Sequence, residues 1–231
     1  MTTSADILVL SIPEALNKVN AKEHANGVQV YVTLPANAVA NDTITFTVTA
    51  PGNVVRYVTY TIGTSDLAAE SIVITIPASI CSTNGAYQIS AVLTDENAVS
   101  TTPAPASFEV DRTAPARPAA PASYADDVGS IQSTASTAAT TDDTKPGVQV
   151  GKNLTDTPKL YVDGVAVDAT YDPVAGTLTP TNPLSEGAHA ITFTLTDSAE
   201  NESLKSPALN LTISTGAPVT PVDAPDKIGR A

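Results

Sequence analysis

The chain has 231 residues, which suits one or two globular domains. Hydrophobic residues make up 42% and charged residues 15%, which excludes a disordered chain and supplies enough apolar material for packed cores. With 24 acidic and 11 basic residues, the net charge of −13 predicts a surface that repels nucleic acid and anionic membranes and attracts divalent cations. A single cysteine excludes a disulfide within the chain.

The first half of the chain consists of short β-prone runs separated by turn residues. Thr and Val are abundant in these runs, and their branched Cβ atoms fit a pleated surface. Seven strands with turn signals at this spacing predict an immunoglobulin-like sandwich over residues 1–112. The predicted strands are 7–12, 27–34, 43–50, 54–62, 71–77, 86–94 and 105–110, and residues 66–70 are expected to form one helical turn.

The second half predicts another domain over residues 113–218, after a short linker at about 111–118. Residues 122–146 are low in apolar residues and are expected to form a long loop. Clear strands follow, and Asp163-Gly164 between two of them is a strong signal for a type I′ hairpin. The predicted strands are 147–151, 159–164, 165–172 and 177–180, then two closing strands, and residues 219–231 are interpreted as the start of a further linker.

An internal repeat connects the two halves. Residues 85–95 read GAYQISAVLTD and residues 187–197 read GAHAITFTLTD, and in both the alternate residues are apolar. This alternation is typical of a strand with one buried face. The Ala-Pro pairs at 114–115 and 217–218 lie 103 positions apart, which is the length of one sandwich. The sequence therefore predicts an all-β protein of two tandem immunoglobulin-like antiparallel β-sandwiches in an extended arrangement, with a linker stiffened by proline.

Ordered sets of motifs in both halves resemble the bacterial Ig-like repeats of Bap-type and giant type I secreted (RTX-type) biofilm adhesins. In the first half these are VNAKEHANGVQVYVTLPANAVANDTITFTVTAPG at 19–52, GAYQISAVLTDENA at 85–98 and VDRTAP at 110–115. In the second half they are LYVDGVAV at 160–167, EGAHAITFTLTDSAEN at 186–201 and SPALNLTI at 206–213. The resemblance covers nearly the whole chain.

The resemblance implies a structural stalk or spacer on a bacterial cell surface. Neighbouring repeats of the same chain would be its partners, a receptor-binding domain would lie elsewhere in the full-length protein, and calcium would stiffen the joints between domains. The start of the chain lacks the basic and apolar regions of a Sec signal peptide, so the sequence predicts either a cytoplasmic protein or an internal fragment of a protein exported by another signal. The chain contains no run of 18 apolar residues, so the sequence predicts no membrane-spanning segment.

Oxygen-bearing side chains are predicted to converge where the first domain ends. In a sandwich, the exit of the last strand lies beside the loop after the first strand of the same domain and beside the sixth-to-seventh strand loop of the next domain. Calcium requires six to eight oxygen ligands. This topology selects Asp111, Glu23, Asp197 and Asn201 as candidate calcium ligands. In the alternative interpretation, Asp111 caps a turn and Asp197 bonds its own backbone.

A second acidic group flanks the long loop of the second domain. It comprises Asp126, Asp127, Asp142 and Asp143, which are expected near the outgoing linker and are candidate metal ligands. Ser214 stands where the first domain has Asp111, so this exit departs from the resembled pattern. Solvated loop carboxylates are the alternative interpretation. Asp95 and Glu96 would mirror Asp197 in the first domain.

A glycan-binding adhesive module and an enzyme are the two alternatives to a spacer. A glycan-binding adhesive module would present exposed aromatic side chains, but Trp is absent and aromatic residues make up 4% of the chain. An enzyme is not expected, because no nucleophile, phosphate-binding or metalloprotease motif is present. Tyr87 and His189 occupy equivalent positions and are expected to play structural roles, His24 is expected to be solvated, and Cys81 is expected to be a small buried or loop residue.

Overall fold

A computed structural model describes residues 8–69, 71–94 and 104–216. One compact unit contains the chain up to Pro115 together with Asp197–Asn201, and the second unit contains the chain from Ala116 apart from that loop. None of the helices in the described ranges is long and apolar enough to cross a membrane. Asp95, Glu96 and residues 219–231, which the sequence analysis singled out, lie outside the described residues.

The first unit has the seven strands predicted from its sequence. They form two antiparallel sheets, one of order β1-β2-β5 and one of order β4-β3-β6-β7. This division of seven strands between two facing sheets is an immunoglobulin-like topology. The strands are β1 (Val9–Ser11), β2 (Val28–Thr33), β3 (Thr43–Ala50), β4 (Val54–Thr61), β5 (Ile72–Ile76), β6 (Gly85–Thr94) and β7 (Ala106–Val110).

The core of the first unit lies between the two sheets and follows the period of two in the sequence. Strand β3 buries every second residue and leaves its threonines half-buried on the other face. Each fully buried aliphatic or aromatic side chain contributes about 1.5–3 kcal/mol relative to exposure. The innermost side chains, none more than 3% exposed, are those of Val28, Val30, Val32, Ile44, Phe46, Val48, Tyr87, Ile89, Ala91 and Leu93.

The segment between β1 and β2 contains a 3-10 turn (Pro13–Leu16) and a short helix, α1 (Ala21–Asn26), neither of which was predicted. The Asn20 side chain accepts the N–H groups of Lys22 and Glu23, while the Glu23 carboxylate accepts the N–H of Asn20. This reciprocal pair is a capping box, which satisfies backbone donors at the start of a helix. The expected helical turn at 66–70 is confirmed as a 3-10 turn at Asp66–Ala68.

The second unit also has two sheets. Their orders are β10-β17-β16-β12-β13 and β14-β15-β11-β8-β9, and every pairing is antiparallel except β10 with β17. The strands are β8 (Tyr124–Asp126), β9 (Ser133–Ser136), β10 (Thr140–Thr141), β11 (Gly147–Gln149), β12 (Thr157–Val162), β13 (Val165–Val167), β14 (Ala169–Asp172), β15 (Thr177–Pro180), β16 (Gly187–Thr196) and β17 (Leu209–Ile213).

Two predictions for this unit are wrong. Residues 122–146 contain three short strands, β8 to β10, instead of one long loop. Strand β8 pairs with β9 and β11, and β10 pairs with β17, and these pairings are not evident from strands made mostly of Ser, Thr and Ala. The strand predicted at 165–172 is divided at Asp168 into β13 and β14, which belong to different sheets. The type I′ hairpin is confirmed, because Asp163 and Gly164 have φ values of 52° and 84°.

The repeated motifs form equivalent strands in the two units. Strands β6 and β16 have ten residues each, and each lies between an earlier strand, β3 or β12, and the last strand of its unit. Gly85 faces Val110 across one ladder, and Gly187 faces Ile213 across the other. Both glycines have positive φ, of 128° and 115°, so the chain enters both strands through a conformation that residues with a Cβ rarely adopt.

Tyr87 has a structural role, as predicted, and it fixes the corner before β6. Its hydroxyl donates to the carbonyl of Thr83 at 2.8 Å and accepts the Thr83 N–H at 3.1 Å. Its ring stacks on Phe108, with the ring centroids 5.2 Å apart. The hydroxyl therefore satisfies backbone groups of the turn while the ring fills the core.

We expect Tyr87→Phe to destabilise the first unit by about 0.5–1.5 kcal/mol, because the mutation removes the part-buried hydrogen bonds between the hydroxyl and the backbone of Thr83. The change in unfolding free energy can be measured by urea denaturation. Tyr57→Phe is the control, since Tyr57 is 68% exposed and should tolerate the loss of its hydroxyl. An equal, small effect of both substitutions would contradict the role assigned to the Tyr87 hydroxyl.

Candidate functional site

The exit of the first unit's last strand lies beside the segment that follows β1, as the sequence analysis expected. The N–H of Val19 donates to the carbonyl of Glu109 at 2.7 Å, and the N–H of Asp111 donates to the carbonyl of Val19 at 3.0 Å. Val19 and Val110 form a parallel bridge, and both are fully buried. This pairing places Asp111 close to the N-terminal end of α1.

Asn201, one of the four predicted ligands at this exit, makes three side-chain hydrogen bonds. Its Oδ1 accepts the N–H of Ala21 at 3.0 Å. Its Nδ2 donates to the carbonyl of Asp111 at 2.8 Å and to Oδ2 of Asp197 at 3.1 Å. Asn201 is only 6% exposed, and these three hydrogen bonds hold its amide in a single orientation.

The carboxylates of this group already accept hydrogen bonds from N–H donors. Oδ1 of Asp197 accepts the N–H groups of Ala199 and Asn201, at 2.8 and 2.9 Å. Oε2 of Glu23 accepts the Asn20 N–H of the capping box at 3.0 Å. The contacts of Asp197 therefore match the alternative interpretation, in which its carboxylate bonds its own loop.

Lys18 supplies a positive charge to the same group. Its Nζ lies 3.1 Å from Oε1 of Glu109 and 3.8 Å from Oδ2 of Asp111. The hydrogen bond to Glu109 and the charges of Glu109, Asp111 and Asp197 together raise the pKa of Lys18. An ammonium group therefore already offsets part of the carboxylate charge at this exit.

Of the four predicted ligands, Asn201 contacts both Asp111 and Asp197, whereas the carboxylate of Glu23 bonds Asn20, and in this arrangement their oxygen atoms do not converge on one point. Calcium needs oxygen atoms that converge on one point. Because the Ala21 N–H fixes Oδ1 of Asn201, the amide nitrogen and not the oxygen faces the Asp111 carbonyl and the Asp197 carboxylate. Across residues 8–69, 71–94 and 104–216, no three His, Cys, Asp or Glu residues form a group that could hold a metal ion.

The second acidic group also lies where the sequence analysis expected it, beside the end of β17. The N–H of Ser214 donates to the carbonyl of Thr141 at 2.8 Å. Asp126 is buried and accepts the Thr141 hydroxyl at 2.6 Å. Asp143 is also buried, and its Oδ1 accepts the Lys145 N–H at 2.7 Å. Two of the four carboxylates therefore already accept hydrogen bonds, Asp126 from the Thr141 hydroxyl of β10 and Asp143 from the backbone two residues further along the chain.

The other two members of this group, Asp127 and Asp142, are exposed. The carboxylate of Asp142 lies directly over Gly129, where an added Cβ would come within 2.1 Å of Oδ2. Gly129 has φ of 73°, so the turn needs glycine both for its backbone and for the space that Asp142 occupies. The four residues form an acidic end of the second unit without converging as a shell of metal ligands.

Burial raises the pKa of the Asp143 carboxyl group above its ordinary value of 3.8, and the nearby charges of Asp127 and Asp126 raise it further. The Lys145 N–H opposes this shift. The charged form of Asp143 is therefore less stable in the folded chain than in water, which is the electrostatic setting that a bound cation would relieve.

A third cluster brings Asp163, His189 and Ser185 together, which are the residue types of a hydrolase triad. Nδ1 of His189 lies 2.7 Å from Oδ2 of Asp163, and Nε2 lies 2.8 Å from the Ser185 carbonyl oxygen and 3.4 Å from its Oγ. Both ring nitrogens face acceptors that have no proton to give, which favours the imidazolium form. Such a ring has no lone pair to accept the serine proton, so this arrangement fits the structural role that was predicted for His189.

His24 and Cys81 are two further residues for which the sequence predicted a setting, and they contact each other in the first unit. The prediction that His24 is solvated is wrong: its Nε2 lies 3.1 Å from the Ala78 carbonyl and 2.9 Å from the Cys81 carbonyl. Cys81 is fully buried, as expected, and burial raises the pKa of its thiol from 9.0 to about 11. A thiol with this pKa is a poor nucleophile at neutral pH.

No protein-family model and no curated protein matches the chain. Among solved structures, the chain is similar to a 1.5-MDa bacterial ice-binding adhesin, with 18% identity, a TM-score of 0.45 and coverage of 90% of this chain and 63% of that one. It is similar to fibronectin(III)-like modules of CbhA from Clostridium thermocellum (14% identity, TM-score 0.45, 90% and 94% covered). It is also similar to a Ca²⁺-stabilized adhesin of an Antarctic bacterium (15% identity, TM-score 0.45, 90% and 48% covered).

We expect Asp143→Asn to stabilise the calcium-free second unit at pH 7 by up to about 1 kcal/mol, because the amide keeps the acceptor for Lys145 and removes a buried charge. A raised carboxyl pKa means that the wild-type chain loses stability as pH rises from 3.8 through the raised value. Urea denaturation at several pH values should show this loss in the wild-type chain and not in the variant.

Asp172→Asn is the matched control, because two N–H donors lower the pKa of the Asp172 carboxyl group. A lowered carboxyl pKa stabilises the fold above the ordinary value of 3.8, so this variant should lose stability at neutral pH. If both asparagine variants change stability in the same direction, the account of Asp143 is wrong.

We expect the second unit to lose stability as pH rises above 6.5. The Ser185 carbonyl and the Asp163 carboxylate raise the pKa of His189 above 6.5. The stabilisation is then fully present below 6.5 and is lost as pH rises through the raised value. Unfolding of the second unit measured between pH 5 and 9 should show this loss in the wild-type chain, and His189→Gln should abolish it. A variant with an unchanged pH profile would show that the dependence arises elsewhere.

Proposed function

We propose that this chain is a structural spacer of a large bacterial surface adhesin, with each unit acting as a tension-bearing module outside the cell. Neighbouring repeats are then its partners, the receptor-binding domain lies elsewhere in the full-length protein, and no catalytic step is assigned to these residues. The repeated strand motifs and their equivalent positions in both units support a tandem array. The main support for the proposal is a parallel pairing with the last strand, which both units contain.

In each unit, an early segment pairs in parallel with the last strand. In the first unit Val19 pairs with β7, and in the second unit β10 pairs with β17. The second pairing includes hydrogen bonds from Thr212 to Ala139 and from Ser214 to Thr141, at 2.9 and 2.8 Å. Tension on the two ends of a unit pulls parallel neighbours in opposite directions along their length. The bonds between them are then loaded together in shear and do not open one at a time.

Single-molecule pulling of the chain tests this proposal. Ser214→Pro removes the N–H that donates to Thr141 and should lower the unfolding force of the second unit. Ser214→Ala keeps that N–H and is the matched control, while the first unit in the same molecule provides an internal reference. An unchanged unfolding force in Ser214→Pro would contradict a load-bearing role for this pairing.

We also propose that the chain is extended and that calcium binds near Asp111 or at the acidic end of the second unit, and this proposal is independent of the pulling result. The net charge and the raised pKa of Asp143 support cation binding. At Asp111, calcium would have to displace the N–H donors around Asn201 and the Lys18 ammonium. The proposal therefore predicts that binding there is coupled to a local rearrangement.

Calcium titration by calorimetry tests calcium binding. Small-angle scattering of the free and the calcium-loaded chain tests the extended arrangement. Binding in the micromolar to millimolar range that Asp111→Ala removes would locate the site near Asp111, and loss of binding in Asp143→Asn would locate it in the second unit. An absence of heat and an unchanged scattering profile at millimolar calcium would leave a spacer stiffened by proline and packing. A scattering profile of one globule would contradict the extended arrangement.

A further inference from the structure

Strand β4 pairs on one side only. All eight of its residues, Val54–Thr61, pair in regular antiparallel register with β3. Its other side is an edge of the four-stranded sheet, and no strand in the described part of the chain pairs with it. An edge of this length presents a row of backbone donors and acceptors that can template pairing with another strand.

The side chains of β4 make this edge apolar on both faces. Strands β3 and β6 bury alternate residues, whereas none of the residues of β4 is buried. Val54 and Val55, which point to opposite faces, are 42% and 41% exposed, and Tyr57 is 68% exposed. Pairing at this edge would therefore remove apolar surface from water on both faces of the sheet.

The charge distribution also distinguishes this edge from the rest of the molecule. The chain has 24 acidic residues, but none lies in residues 43–65. The only charged residue in this stretch is Arg56, whose guanidinium donates to the Val55 carbonyl at 3.1 Å. Natural edge strands are usually shielded by charges, prolines or bulges. Here a single arginine provides that shielding, and the register contains no bulge.

We propose that the free edge of β4 is a self-association surface, and that its partner is β4 of a second copy of this chain in antiparallel orientation. An antiparallel pair related by a two-fold axis uses the same edge of both copies, so one exposed strand satisfies both partners. In such a pair, the stretch without carboxylates in one copy lies beside the same stretch in the other copy, although each chain has a net charge of −13. A pairing centred on Tyr57 or Val58 places Arg56 opposite an uncharged residue, Val58 or Tyr60.

The expected association is weak. One strand edge buries less than the roughly 1,200 Å² of a stable interface, so dissociation constants should fall in the high micromolar to millimolar range. In an array, several edges on one chain would raise the apparent affinity by their effective concentration. The inference goes beyond the proposed spacer role and does not depend on it, because self-association through β4 can occur in any protein that contains this unit.

Sedimentation equilibrium of the full chain at concentrations up to about 1 mM tests the inference. The wild-type chain should dimerise with rising concentration, and Tyr57→Glu should weaken dimerisation at least tenfold because it sets two carboxylates on the shared edge. Val165→Glu is the matched control: Val165 is 67% exposed on the edge strand β13 of the second unit, and the variant gains the same charge. A second substitution, Val55→Lys, should act like Tyr57→Glu.

Arg56→Thr should strengthen association, since it removes the only charge of the edge and frees the Val55 carbonyl. Hydrogen exchange should show protection of amides in 54–61 that increases with concentration in the wild-type chain. Circular dichroism and urea denaturation establish that each variant is folded before its association is compared. A wild-type chain that stays monomeric at 1 mM, or equal weakening by Tyr57→Glu and Val165→Glu, would overturn the inference.

Discussion

The structure of each unit depends on one central strand that pairs on both sides. Strand β6 lies between β3 and β7, and β16 lies between β12 and β17. Alternate residues of both strands point into the core, so one strand sets the register of its sheet and supplies part of the buried surface. The last strand of each unit is positioned by this pairing, and the acidic groups follow or adjoin that last strand. The candidate sites therefore inherit their geometry from the two repeated motifs.

The parts of the fold that could be predicted are those whose signal is local. Alternating residues located all seven strands of the first unit, and Asp163-Gly164 located a hairpin. Strands β8 to β10 could not be found in this way, because they have only two to four residues each, mostly polar or small, and are strands only through their partners. Helix α1 is a different case, since Asn20 and Glu23 are a readable capping box at the correct spacing.

The candidate sites show which features of a metal site cannot be predicted from the sequence. Topology correctly placed Asn201 and Asp197 beside Asp111. It could not show that the Ala21 N–H turns the nitrogen of Asn201 toward the other oxygens, or that Lys18 brings an ammonium group to the same exit. Calcium and N–H donors compete for the same lone pairs, so a count of nearby carboxylates overstates the oxygen atoms that are free to bind a cation.

The lone cysteine gives this molecule a built-in chemical reporter. Cys81 is enclosed in the first unit, and its thiol is the only one in the chain. A thiol-reactive reagent can modify it only during moments when that unit opens, because the enclosed sulfur is neither accessible nor ionised. The labelling rate therefore follows the opening of the first unit alone, while the second unit contributes no signal. Opening of one repeat can thus be followed in an unmodified chain.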